Sequence, residues 1–131
     1  DMSTRIESTR VHPITTAVTQ AATNIAELID AAMIVIATRS GGTAWVKSKS
    51  RSKIPTLGVS DCAATLRRIN LFWGVKPIGV AQMGHPAEIR LEVCQWAKQQ
   101  GYLVSGDRIV FVSGSGVVQR AHNSVVVHTV D

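Results

Sequence analysis

Short apolar runs alternate along this chain with longer stretches of helical period. After a polar lead-in over residues 1–12, Pro13 suits the first turn of a helix. From there Ile14, Val18, Ala21, Ala22, Ile25, Leu28 and Ile29 recur at helical spacing, to about Asp30. Met33 to Ala37 is almost continuously apolar, the pattern of a strand buried on both faces of a parallel sheet. A turn of small polar residues, Thr38 to Thr43, leads into a helix over 43–50. Ile54 to Val59 reads as a second strand with Pro55 tolerated at its start, and Ser60 or Asp61 caps a helix running through Cys62 to Ile69. Trp73 to Pro77 reads as a turn and Ile78 to Ala81 as a third strand. An amphipathic helix over 86–100 carries Ile89, Val93, Trp96 and Ala97 on one face and stops at Gly101. Arg108 to Val112 is a fourth strand, 113–123 a loop, and Ser124 to Val130 a last strand.

Strands alternating with helices of about ten residues predict βαβ units and a mostly parallel α/β sheet. The last strand follows the fourth through a loop too short for a crossover helix, so it is expected antiparallel at a sheet edge. One domain over 13–131 is expected, preceded by the lead-in of residues 1–12.

Composition narrows the function classes. With 131 residues and 45% apolar content, the chain is expected to bury a real core, built on Val, Ile, Leu and Ala because aromatics are sparse. The longest apolar run, Ala31 to Ala37, is too short to span a bilayer, and no basic segment followed by an apolar one opens the sequence. A cytoplasmic location without a membrane partner is the expectation. The two cysteines, Cys62 and Cys94, suit neither a disulfide framework nor a zinc site and are expected as buried free thiols. The net charge of +5 concentrates in Arg39, Lys47, Lys49, Arg51 and Lys53. That patch neither extends nor carries interleaved aromatics, so nucleic acid is not expected as a partner.

Catalytic signatures are missing. Gly42 to Ser48 lacks the second glycine of a Walker A loop, and no Gly-x-Gly-x-x-Gly follows the first strand. Phe111 stands where a nucleophile elbow through Ser113 needs its first glycine. His12, His85, His122 and His128 show no metal spacing and read as surface or capping residues, and no carboxylate pair suggests acid–base work. No catalytic residue, metal or cofactor is therefore assigned to this chain.

One element has a physical rationale for binding. Thr38 to Thr43 joins the carboxyl end of a buried strand to a helix start, the place where ligands gather in open α/β sheets. A helix start offers unpaired N–H groups and the positive end of a dipole. Gly41 and Gly42 admit close approach of an anion, Thr38, Ser40 and Thr43 add hydroxyls, and Arg39 adds charge. The alternative is an ordinary βα turn. Gly114, Ser115 and Gly116 also leave the end of a strand, and if the first and fourth strands are neighbours both loops face one crevice.

Several of these segments resemble the C-terminal α/β domain of pyruvate kinases. The resemblance rests on Ala32 to Ala44, Lys49 to Pro55, Leu66 to Pro77 with its Asn70 and Trp73-Gly74-Val75, and Gly101 to Asp107. It covers about residues 12–131 in collinear order. It implies a three-layer α/β/α sandwich with a five-stranded sheet. It also implies a non-catalytic regulatory and oligomerisation domain of an enzyme that transfers a phosphoryl group from phosphoenolpyruvate to ADP in glycolysis. The Mg²⁺ and K⁺ of that parent belong to another domain. The implied partners are a second copy of the domain (a dimer, within a tetramer of the parent) and a phosphorylated small-molecule effector.

The family's phosphate loop maps onto Thr38, Arg39, Ser40, Gly41, Gly42 and Thr43. Three positions depart from its pattern. Gly42 stands at a basic position, Ser115 and Gly116 stand where sugar-bisphosphate-activated members have Trp-Arg, and His122-Asn123-Ser124 replaces Thr-Asn-Thr. Arg120 is a candidate substitute cation. A stand-alone homologue acting as a small-molecule sensor is the alternative reading.

Overall fold

The computed structural model describes residues 13–39, 52–71, 74–81, 84–113 and 124–131. The elements are α1 (Pro13–Leu28), β1 (Met33–Ala37), β2 (Thr56–Ser60), α2 (Ala63–Ile69), β3 (Val75–Gly79), α3 (Pro86–Gln99), β4 (Arg108–Ser113) and β5 (Ser124–Thr129). The helix expected over 43–50 and the lead-in over 1–12 lie outside the described residues.

The strands form one five-stranded sheet in the order β3-β2-β1-β4-β5, parallel except for the antiparallel pair β4–β5. Every residue of β1 and β2 is buried, which is why both read as unbroken or nearly unbroken apolar runs. Alternation along the strands builds two cores. Met33, Val35, Ala37, Leu57, Val59, Ile109 and Phe111 pack under Ile89, Val93, Cys94 and Ala97 of α3. Ile34, Ile36, Val110 and Val112 pack under Ala22 and Ala26 of α1. A hypothetical Cβ on Gly58 would meet Ile69 and Val75, so α2 covers the α1 side of β2 and β3. The result is three layers, α/β/α.

The buried face of α1 also carries Thr15, Thr19 and Thr23. The Thr19 hydroxyl donates to the Thr15 carbonyl at 2.6 Å and that of Thr23 to the Thr19 carbonyl at 3.0 Å, so neither is left unpaired inside. Gly101 ends α3 as expected. Its φ of +83° lets its N–H reach the Lys98 carbonyl (3.1 Å) while the Tyr102 N–H reaches that of Ala97 (2.9 Å), a Schellman motif.

Three expectations are corrected. β3 begins at Val75 rather than Ile78, because Val75 and Lys76 pair in register with Thr56 and Leu57, and Pro77 is accommodated because β3 is an edge strand. The cap of α2 is Cys62, not Ser60 or Asp61; it makes no side-chain capping bond, and Ser60 Oγ instead accepts from the Cys62 N–H at 3.2 Å. Cys62 is consequently exposed, outside the buried face of its helix, whereas Cys94 is buried. His85 is a capping residue, its Nδ1 accepting from the Ala87 N–H at 3.3 Å. Among the described residues no helix is long and apolar enough to cross a membrane.

Gly58 tests how tightly α2 is seated. A Cβ there would lie 3.1 Å from Ile69 Cδ1, Ile69 Cγ2 and Val75 Cγ1. Gly58→Val is expected to cost about 1–3 kcal/mol of unfolding free energy through overpacking. Denaturant titration of the variant beside wild type checks this.

Candidate ligand site at the switch point of the sheet

From β1 the chain builds outward through β2 and β3, then crosses back to add β4 on the other side. The sheet therefore reverses direction of growth between β1 and β4, the kind of switch point beyond whose carboxyl ends open α/β sheets bind ligands. The last register pair of these two strands is Ala37 with Ser113. The segments that begin at Thr38 and Gly114 thus leave neighbouring strand ends, as the sequence pattern required for a shared crevice.

Of the loop residues singled out from sequence, Thr38 and Arg39 are described; Ser40, Gly41, Gly42, Thr43, Gly114, Ser115, Gly116 and Arg120 lie outside the described residues. Thr38 is fully buried, and its N–H donates to the Val59 carbonyl at 2.9 Å, tying the loop start to β2. Arg39 is exposed, and its carbonyl accepts from the hydroxyl of the buried Thr65. Arg68 Nη2 in turn donates to Thr65 Oγ1 at 3.1 Å. Thr65 thus fastens the loop start to α2, a role sequence reading did not assign. Its signal was a hydroxyl one turn before Ile69, on the face of α2 that packs inward.

The matching end of β4 is also polar. Ser113 is buried, yet its Oγ has no hydrogen-bond partner among the described residues; the same is true of the buried Nε of Arg90 on α3. An unsatisfied buried polar group costs about 1–3 kcal/mol. Neither residue was singled out as a binding residue from sequence.

Comparison with known proteins fits this geometry. The family described as "Pyruvate kinase, alpha/beta domain" matches residues 16–128. The chain belongs to this family. It is similar to pyruvate kinase 2 of Synechocystis sp., with 32% identity over 85% of this chain and 20% of that protein. It is also similar to the pyruvate kinase of Agrobacterium vitis, with 38% identity over 79% of this chain and 22% of that protein. The solved structure of Cryptosporidium parvum pyruvate kinase in complex with ADP shares the fold, with a TM-score of 0.79 and 21% identity over 91% of this chain and 24% of that one. The chain thus spans about a fifth of the length of the curated relatives it matches.

In this pyruvate kinase α/β domain a concavity of about 530 Å³ lies at the opposite end of the sheet. Met33, Thr56, Val75, Lys76 and Tyr102 line it at the amino ends of β1, β2 and β3. Its polar groups satisfy one another, Lys76 Nζ standing 3.4 Å from Tyr102 Oη and 5.4 Å from the ring centroid. It therefore lacks the unpaired hydroxyl that marks the switch-point end.

The two thiols of the domain differ. Cys62 is held below the usual thiol range by the Thr65 hydroxyl first, then by the Thr65 and Ala64 backbone and the charge of Arg68. A hydroxyl has a single proton, so that contact competes with the bond to the Arg39 carbonyl. Burial pushes the Cys94 thiol up.

Replacing Thr65 by valine keeps its shape and removes the link between α2 and Arg39. Thr65→Val is expected to cost about 1–2 kcal/mol of stability. Faster amide hydrogen exchange at Thr38 and Arg39, with exchange in β3 unchanged, is the accompanying signature.

Proposed function

We propose that this domain serves a pyruvate kinase as a non-catalytic regulatory and oligomerisation module. Its switch-point crevice receives a phosphorylated small-molecule effector. The longer protein would carry out phosphoryl transfer from phosphoenolpyruvate to ADP and hold the Mg²⁺ and K⁺ outside this domain. Among the described residues no three His, Cys, Asp or Glu side chains gather in a metal-holding group.

The observation that carries the reading is the pairing of β1 with β4, which sets the strand ends Ala37 and Ser113, from which both candidate loops continue, side by side. A phosphate there would be received by backbone N–H groups and hydroxyls of Thr38, Ser40, Gly41, Gly42 and Thr43. Arg39 would supply charge, and Gly114, Ser115, Gly116 and Arg120 would close the opposite wall. Thr65 gives ligand binding a route to α2, because the carbonyl that begins the loop is bound to that helix.

Charge-assisted hydrogen bonds contribute roughly 1.5–3 kcal/mol each before ordering costs. Three or four of them, less those costs, give affinity for inorganic phosphate on the order of millimolar. Calorimetric titration with phosphate and with a sugar phosphate is expected to give weak and tighter binding respectively. Thr43→Ala and Gly41→Val are expected to weaken both. Equal heats for all three proteins would mean the loop is only a turn.

Assembly is read from β5, an edge strand of the sheet. Val126 and Val127 are 36% and 48% exposed on it, and a long apolar edge invites pairing with a second copy. The Val130 N–H donates to the Asp107 carbonyl at 2.7 Å, so by alternation the Val127 N–H points away from β4. A homodimer is therefore expected in light scattering at high concentration. Val127→Pro removes that outward donor while sparing the pairing with β4, and is expected to shift the protein to monomer. A wild type that scatters as a monomer throughout would contradict this assignment.

A further inference from the structure

The two edges of the sheet are not built alike. β3 forms one edge and β5 the other, and among the described residues no further strand pairs with either. The direction of the backbone groups along each strand follows from one bond at its end. The Val80 N–H donates to the Ser60 carbonyl at 3.0 Å. By alternation Ile78 and Lys76 also face β2, while Val75, Pro77 and Gly79 turn their backbone groups outward. The middle one of those three is a proline and has no N–H to offer. Along β5 the same alternation from Val130 leaves Val125, Val127 and Thr129 outward, each with a donor and an acceptor. An antiparallel two-fold pair centred on β5 sets Val127 of both copies opposite each other, and they exchange both N–H···O bonds. Centred on β3, such a pair sets Pro77 of both copies opposite each other, and both bonds are missing. The exposed Lys76 beside it places a charge on the same edge strand.

We propose that Pro77 bars β3 from strand pairing, so that association through the sheet edges uses β5 alone and closes at two copies. The dimer itself rests on the β5 reading above; the bar on β3 rests on Pro77 and is tested separately. A sheet with two open edges can add copies without end, whereas a single open edge is used up by one two-fold pair. Within the sheet the proline removes no bond to β2, because the position it occupies points away from that strand. Its effect is confined to the outer edge, where a second copy would have to bind.

The test restores the missing donor. Pro77→Thr and the smaller Pro77→Ala are compared with wild type by light scattering across concentration, with circular dichroism as the check on folding. Each variant is expected to reach masses of four copies and more where wild type stops at two. Adding Val127→Pro to Pro77→Thr is expected to bring the mass back to two copies, now joined through β3. In the associated state the backbone amide at position 77 is expected to exchange with solvent roughly tenfold or more slowly than in the dilute protein. Masses equal to wild type in both variants at every concentration overturn the proposal. So does association that leaves the amide at position 77 exchanging freely, which would place the new contact elsewhere. A wild type that is monomeric throughout contradicts the β5 reading but not this one. Pro77→Thr is then expected to dimerise, and its failure to do so overturns the proposal.

Discussion

The parallel pairing of β1 on both of its edges is the constraint on which the rest of this domain depends. Met33 to Ala37 hydrogen-bonds to β2 on one side and β4 on the other and buries all five residues. A strand held this way has no freedom of register, since a slip of one residue would exchange the side chains of its two cores. The α3 core and the α1 core are each keyed to alternate positions of this one strand. The same pairing sets β1 beside β4 and so fixes where the direction of sheet growth reverses. Core packing and the location of the switch point are therefore consequences of a single alignment.

The two ends of the sheet differ in chemistry. Thr38 follows β1, Ser60 ends β2 and Ser113 ends β4, all buried, and Thr65 joins them from α2. Hydroxyls at strand ends keep the layers sealed while leaving groups able to bind an anion or brace a loop. Thr65 braces, through the Arg39 carbonyl, and Ser60 Oγ accepts the first N–H of the turn into α2. Ser113 does neither among the described residues. At the amino ends the cavity beside Lys76 and Tyr102 is lined largely by apolar residues, and those two groups occupy each other.

Much of this was legible in the sequence because the strongest signals are those of burial. β1 and β4, flanked on both sides by other strands, have no polar alternation to confuse the pattern, and their bounds were read nearly to the residue. α1 and α3 were legible from their helical period, and the stop of α3 from Gly101. Edge elements were harder. β3 is half exposed and contains Pro77, so Val75 and Lys76 looked like turn until their register with Thr56 and Leu57 was seen. The candidate site residues divide in the same way. Thr38 and Arg39 follow a strand directly and carry a local signal. Thr65 braces the loop start through a neighbour 26 positions away in sequence, Arg39. No local pattern announces such a role, although a hydroxyl on an otherwise inward-packed stripe was available as a hint.

The most direct measurement of the central claim is a residue-by-residue map of where a phosphorylated ligand touches the domain. Backbone amide shifts recorded during titration with a sugar phosphate provide it. The account predicts that the largest saturable changes cluster at the carboxyl ends of β1 and β4, at Thr38, Arg39 and Ser113, while Met33, Lys76 and Tyr102 at the opposite end stay still. Changes centred on Lys76 and Tyr102, with Thr38 and Ser113 unmoved, would contradict it.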